Sequence, residues 1–256
     1  MGFLKPDSGT VTINNLDCWD ESAQVKSLVG YIPGEIAFPD APTGAEFLRR
    51  QAKLLDITDL SYCNYIAAKL QLDTSANLKR MSKGMKQKTA IIAALMHNPP
   101  ILILDEPSTG LDPLMRSLFV DILKEEKKKG KTIFMSSHMF DEVYNTCDRV
   151  AMIKEGKIAA TVATADIRHN RNKTYKIEFL QHDDLVRFIN EDLVKKSIIT
   201  IQKKDITCAQ CTVGINDNDI NVLTKLLCTY GVRFFKEIKY SLEQYFNSIY
   251  KVENND

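Results

Sequence analysis

Residues 101–113 read ILILDEPSTGLDP: an apolar run from Ile101 to Leu104 meets two adjacent carboxylates, Asp105 and Glu106, and a Pro-Ser-Thr-Gly cluster follows. Four consecutive apolar residues ahead of a turn cluster fit a strand buried on both faces, as in a parallel sheet. The carboxylates then fall at the strand's C-terminal tip, where open α/β sheets bind ligands. One carboxylate at such a tip can hold a hydrated Mg2+, and its neighbour can polarise an attacking water.

Outward from this strand, local signals are plentiful. Leu28–Ile32 is predicted as a strand, stopped by Pro33-Gly34, and Thr10–Ile13 as a shorter one. Thr43 with Glu46 three residues later has the form of a capping box, opening a helix to about Leu55, and a second helix covers Leu60–Leu70. Ser82 caps a helix whose inward face is predicted as Met85, Thr89, Ile92, Ala93 and Met96, ended by Asn98-Pro99-Pro100. Asp112-Pro113 pairs a cap residue with proline at the first helical position. That helix runs to Lys127–Lys129 and stops at Gly130, its lysines complementing the helix dipole on a wet face. Thr132–Met135 is a further buried strand leading into Ser136-Ser137-His138, and a hairpin turns at Glu155-Gly156.

The chain has 256 residues, enough for one full core and a smaller second one. It is 44% hydrophobic and 26% charged with a net charge of +1, which argues against disorder and gives no global field toward nucleic acid or anionic lipid. No apolar run approaches membrane-spanning length, and no secretory leader is visible. Six scattered cysteines read as reduced thiols. Cys208 and Cys211 form a C-x-x-C without the second pair that a zinc site needs. The polar run HNRNK, residues 169–173, is predicted as a linker. Beyond it the pattern is strand 175–180, helix 182–190, strand 197–203, strand 208–215, helix 218–230, strand 232–238 and helix 241–251. This β-α-β-β-α-β order suggests a ferredoxin-like unit. The aromatic stripe Tyr240, Tyr245, Phe246 and Tyr250 reads as core or docking surface.

The ILILDEPSTGLDP stretch, with MSKGMKQK before it and SSH after it, resembles the ATP-binding subunit of ABC transporters over roughly residues 1–165. The C-terminal part, ending in SLEQYFNSIY, resembles the extension of exporter-type subunits whose permease is a separate chain. The resemblance implies an α/β fold: an incomplete ABC-type P-loop NTPase domain over residues 1–165, lacking its N-terminal phosphate-loop unit, a linker at 166–173, and a small α+β domain at 174–256. It implies ATP and Mg2+ as ligands. It also implies a second ATPase subunit as homo- or heterodimer partner, a transmembrane permease, no nucleic acid, and a peripheral place at the cytoplasmic face of the membrane.

Carried over residue by residue, Asp105 resembles the magnesium-binding Walker B aspartate, Glu106 the general base, and His138 the switch histidine that reaches the γ-phosphate. Ser108–Asp112 resembles the D-loop, which links the two active sites of a dimer, and Asp112 is counted among the cofactor-binding residues. Met81-Ser82-Lys83-Gly84-Met85 resembles the signature L-S-G-G-Q, keeping the serine and one glycine. Its helix N-terminus would aim N–H groups, and Lys83 a cation, at a partner's γ-phosphate. Gly34 stands where relatives carry glutamine. Either Glu35 takes over that contact with metal and water, or the contact is lost. The stretch Ile36–Leu48 would face the permease.

No G-x-x-x-x-G-K-[ST] loop occurs in the sequence. By the resemblance, that loop, its strand and its helix would precede Met1. The same resemblance predicts that the missing strand neighbours the ILIL strand, leaving one flank of it unpaired. Two readings follow: an ATP-hydrolysing export subunit, or a non-catalytic subunit that offers its signature helix to an intact partner.

Overall fold

A computed structural model describes residues 1–168, 171–238, 243 and 246. Its contacts divide the chain into two units, Met1–Thr146 and Cys147–Asp256.

In the first unit the elements are β1 (Thr12–Ile13), β2 (Leu16–Asp17), α1 (Ser22–Leu28), β3 (Val29–Ile32), α2 (Gly44–Leu54), α3 (Ser61–Lys69), α4 (Lys83–Leu95), β4 (Ile101–Asp105), α5 (Pro113–Lys128), β5 (Thr132–Ser136) and α6 (Phe140–Thr146). The ILIL run is β4, the middle strand of a parallel sheet ordered β3-β4-β5. Its residues serve both faces. Leu102 and Leu104 enter the core with Ile91, Ile92, Phe119 and Ile122, while Ile101 and Ile103 pack toward Val25 and Val29. That two-sided burial is why the run is continuous rather than alternating.

The expected unpaired flank of β4 is not found. Val29–Ile32 pairs with one side in register and Thr132–Ser136 with the other. Among the described residues it is β3 and β5, not β4, that end the sheet, and Phe134 on β5 is 72% exposed. Sequence order could not supply this, because strand neighbours are chosen by crossovers and not by adjacency along the chain.

Local chemistry sets the helix ends. Thr43 Oγ1 accepts from the Glu46 amide at 3.2 Å, but the Glu46 carboxylate turns to Arg49 and Arg50, so only half of the capping box forms. Buried residues on α4 extend beyond the predicted face to Gln87, Ala90, Ile91, Ala94 and Leu95. The helix packs against α2, α3 and β3 at once, so a single apolar stripe understates its burial. Under the C-terminal turn of α5, Glu126 is 1% exposed. It accepts from Tyr62 at 2.6 Å, bonds Lys129 at 2.6 Å and pairs with the buried Lys131. Burial pushes its carboxyl up, but the hydrogen bonds to Lys129, Lys131 and Tyr62 outweigh this and hold it below the ordinary glutamate range.

His97, between α4 and β4, supplies a pH dependence. Burial lowers its pKa, the nearby Lys131 adds to the effect, and the Val29 backbone pulls the other way. A histidine held neutral in the fold binds its proton more readily in the unfolded chain. Stability is therefore full above the unfolded pKa of about 6.5 and is lost as pH falls through the folded value. Urea midpoints followed by Trp19 fluorescence are expected to fall between about pH 7.5 and pH 5.5, and less so in His97→Asn. Equal slopes would remove His97 as the source.

The second unit holds β6 (Arg149–Lys154), β7 (Lys157–Ala163), α7 (Thr164–Arg168), β8 (Asn172–Phe179), α8 (His182–Ile189), α9 (Asp192–Lys195), β9 (Ile199–Asp205), β10 (Gln210–Asn216), α10 (Ile220–Leu227) and β11 (Val232–Ile238). The β6–β7 hairpin turns through Glu155 at φ 50° and Gly156 at φ 74°, the paired left-handed geometry of a type I′ turn. Ordered elements enter the expected linker from both sides, α7 ending at Arg168 and β8 beginning at Asn172. The four antiparallel strands follow the order β11-β8-β10-β9, the ferredoxin-like arrangement. Ile177, Phe179, Phe188, Val213 and Leu223 fill its core. Cys211 is buried on β10, whereas Cys208 is exposed in the preceding turn, not in a strand as read from sequence. The predicted helix 241–251, with Tyr240, Tyr245 and Tyr250, lies outside the described residues except for positions 243 and 246.

Candidate functional site

The site assembles where β4 and β5 end together. Asp105 and Ser136 are register partners, and the Ser136 hydroxyl donates to Asp105 Oδ1. The chain then turns sharply: Glu106 has φ 47°, a left-handed conformation that non-glycine residues seldom adopt. Its amide donates to the Ser136 carbonyl at 3.2 Å and to the Ser136 hydroxyl at 3.0 Å, which holds the turn. Such conformations persist where the surroundings over-determine them, and they concentrate at functional sites.

Glu106 Oε2 lies 2.7 Å from Nδ1 of His138. An ionised carboxylate only accepts, so Nδ1 carries the proton and Nε2 remains for another group. The His138 side chain is 75% exposed and that of Glu106 30%, so both can meet a ligand arriving from solvent.

Sequence-predicted residues at the edge of this centre behave differently. Gly34 approaches Asp105 so closely that a Cβ there would stand 2.8 Å from Oδ2. Position 34, where the resemblance expects glutamine, thus lies against Asp105, while Glu35 beside it is exposed. Ser82 Oγ accepts from the Met85 amide at 3.2 Å, so the predicted signature serine is also the N-cap of α4. Lys83 is exposed in the first helical turn, with its stem against Gly110. Gly84 faces Gly110 so tightly that a Cβ would sit 2.7 Å from its carbonyl oxygen. Asp112 caps α5, accepting from the Met115 amide at 2.9 Å.

Four participants went unassigned in the sequence. Gln87 is buried and donates to the Pro107 carbonyl at 2.7 Å. Ser136 holds Asp105, Ser137 follows it, and Glu142 is buried behind both loops. The serines were visible in the SSH tripeptide. Nothing in the sequence marked Gln87 or Glu142 as inward-facing.

For Mg2+, the donor set is one exposed carboxylate, a hydroxyl beside it and a second carboxylate next in sequence, all hard oxygens. The glycine at position 34 leaves Asp105 Oδ2 uncovered by any side chain of its own. Mg2+ keeps several waters and takes one or two carboxylates plus substrate phosphates, so these residues fit it. Among the described residues, no group of three or more His, Cys, Asp or Glu side chains could hold a metal by itself.

The fold and the acidic pair at its sheet tip are those of a mixed α/β, phosphate-loop-type NTPase domain. A family profile described as "AAA domain, putative AbiEii toxin, Type IV TA system" matches residues 12–139. The chain is 31% identical over 199 residues to the ABC transporter ATP-binding protein NatA of Bacillus subtilis, covering 73% of this chain and 78% of that one. It is 32% identical over 171 residues to the linearmycin resistance ATP-binding protein LnrL of the same organism, covering 65% and 55%. A solved structure described as the ATP binding subunit of an ABC transporter superposes with a TM-score of 0.60 at 30% identity, over 65% of this chain and 72% of that one. The chain spans about half the length of some curated relatives, 49% and 55% in two of them. It belongs to the family of ABC transporter ATP-binding proteins.

Proposed function

We propose that this chain is the ATP-binding subunit of an exporter whose permease is a separate polypeptide, and that it works at the cytoplasmic face of the membrane as one member of an ATPase dimer. The observation that carries the reading is the 2.7 Å contact between Glu106 and His138 beside Asp105, at the tip of the central parallel strand. Glu106 is the general base that orients and deprotonates the attacking water. His138, bonded to Glu106 through Nδ1, presents Nε2 toward the γ-phosphate. Asp105, steadied by Ser136, would hold Mg2+. That ion, when bound, neutralises charge on the phosphoryl oxygens.

Ser82, Lys83 and Gly84 present the start of α4 to the nucleotide of the second subunit. Asp112 closes the D-loop between the two sites, its carboxylate fixing the start of α5. Glu35, exposed beside Gly34, is free to take over the contact with metal and water that the missing glutamine would make; otherwise that contact is lost. Export is supported by the resemblance of the C-terminal part to the extension of exporter-type subunits and by the resistance-linked name of a relative. A separate permease fits a chain in which no described helix is long and apolar enough to cross a membrane. We assign residues 1–165 to the ATPase domain, 166–173 to the linker and 174–256 to the α+β domain. In support, the β6–β7 hairpin forms its own sheet apart from the four C-terminal strands.

One observation favours the second reading, a subunit that lends its signature helix without holding ATP itself: the sequence contains no phosphate-loop motif. Backbone N–H groups of such a loop and its lysine supply much of the β- and γ-phosphate contact. Calorimetric titration of the 256-residue chain with MgATP separates the two readings: the first expects saturable binding, and none below about 1 mM would favour the second. Micromolar saturation would defeat the second reading and leave the catalytic one.

A further inference from the structure

We propose that Glu142 is a positioning residue that locks the loop after the acidic pair to the loop carrying His138. The inference rests on the reading of Glu106, His138 and Ser108–Asp112 as parts of the nucleotide site. Glu142, on α6, is 3% exposed, and Ser108 is 2% exposed. One carboxylate oxygen, Oε2, accepts from the Ser108 hydroxyl at 3.0 Å and from the Ser137 hydroxyl at 2.7 Å. The other, Oε1, is buried with no hydrogen-bond partner among the described residues. A carboxylate buried with only two neutral donors is costly, and a chain without use for it loses little by replacing it with an apolar residue.

The two serines come from different loops, and each adjoins a site residue. Ser137 precedes His138 and also accepts from the Met139 amide at 3.0 Å. Ser108 lies two residues beyond Glu106. Since His138 bonds Glu106, the atoms close a ring: Glu106, Pro107 and Ser108 through the backbone, then Glu142, then Ser137 and His138, and back to Glu106. Gln87 on α4 enters this ring at the Pro107 carbonyl. A ring of short bonds fixes the distance between base and histidine more narrowly than either loop could alone, as catalytic geometry requires. Glu142 touches none of the reacting atoms, so its influence passes through the two serines.

The test is hydrogen exchange by NMR on the full chain without nucleotide, reading the Thr109, Leu111 and Met139 amides, with the amides of β4 as reference. Hydrogen bonds to charged groups are strong enough that losing one raises local opening about tenfold or more. Glu142→Leu is expected to speed exchange in both loops by about that factor while β4 is unchanged. Ser137→Ala is expected to speed exchange at Leu111, in a loop that Ser137 does not touch. Ser108→Ala is not used at Met139, because the Ser108 hydroxyl also contacts Met139 Sδ directly at 4.0 Å. Glu142→Gln, whose amide oxygen can accept both hydroxyls, is expected to restore wild-type protection. Effects confined to each substituted loop, or a Glu142→Gln variant as loose as Glu142→Leu, would overturn the proposal. If Glu142→Leu does not fold, Ser137→Ala read at Leu111 decides alone. Because no nucleotide is used, a failure here is separate from a failure of the complex to hydrolyse ATP, which would strike the functional reading instead.

Discussion

Replacing Glu106 by Gln is expected to cut ATP turnover in the assembled transporter complex by a factor on the order of 10² to 10⁴, the usual contribution of a positioned general base. The substitution keeps the side chain's size and leaves an amide oxygen able to accept from His138 Nδ1, so the 2.7 Å contact can survive. What it removes is basicity. An amide cannot take the proton of an attacking water, and the chemical step loses its acceptor while Asp105 still holds its ion. Nucleotide binding is therefore expected to persist. The measurement is phosphate release beside equilibrium binding of a fluorescent ATP analogue. Undiminished release would remove Glu106 from the base role. Loss of binding and release together would instead show that the substitution disturbed the left-handed turn at position 106.

Gly30→Ala is expected to destabilise the first unit by about 3 kcal/mol or more, at the upper end of what overpacking a core costs. Gly30 sits inside β3, paired with Leu102, where the C-terminal turn of α4 crosses the sheet. A Cβ at this position would lie 2.1 Å from the Ala94 carbonyl oxygen and 2.8 Å from both Leu102 and Pro99. The first neighbour is backbone near the end of a buried helix, so relief requires moving α4 rather than rotating a side chain. Gly130→Ala is the comparison. Gly130 needs φ 84° but has nothing within 4 Å of an added Cβ, so its cost is the left-handed strain alone, about 1 kcal/mol. Urea unfolding monitored by Trp19, the chain's one tryptophan, reports on the unit that holds both glycines. Equal midpoint shifts for the two variants would mean that the close approach of α4 to β3 is not rigid.

Much of this molecule was readable from local chemistry. Ser82, Thr43 and Asp112 cap helices as their side chains suggest, each accepting from the amide three residues on. Glu155-Gly156 turns its hairpin, and the β-α-β-β-α-β order appears with strand β11 at its predicted limits. Short helices escaped. In α1 only Val25 is buried, and in α6 only Glu142 and Val143, so neither shows the repeated apolar spacing that betrays a longer amphipathic helix. The inward face of α4 was read too narrowly for the opposite reason: several neighbours bury it, and period alone records only one.

For the site, the sequence determined which chemistry is available. An acidic pair after an apolar strand, and a histidine after a strand ending in two serines, are contiguous patterns whose meaning is carried by neighbours along the chain. Which groups meet was decided only by tertiary structure. The order β3-β4-β5 brings Ser136 beside Asp105, sets Gly34 against Asp105, and leaves the sheet's edges on β3 and β5. Glu142 shows the difference most sharply. An acidic residue in a seven-residue helix reads as solvent-facing, yet folding buries it between two loops 29 positions apart along the chain, Ser108 to Ser137. Contacts across that separation are chosen by how strands cross over and helices pack, and no local propensity encodes them.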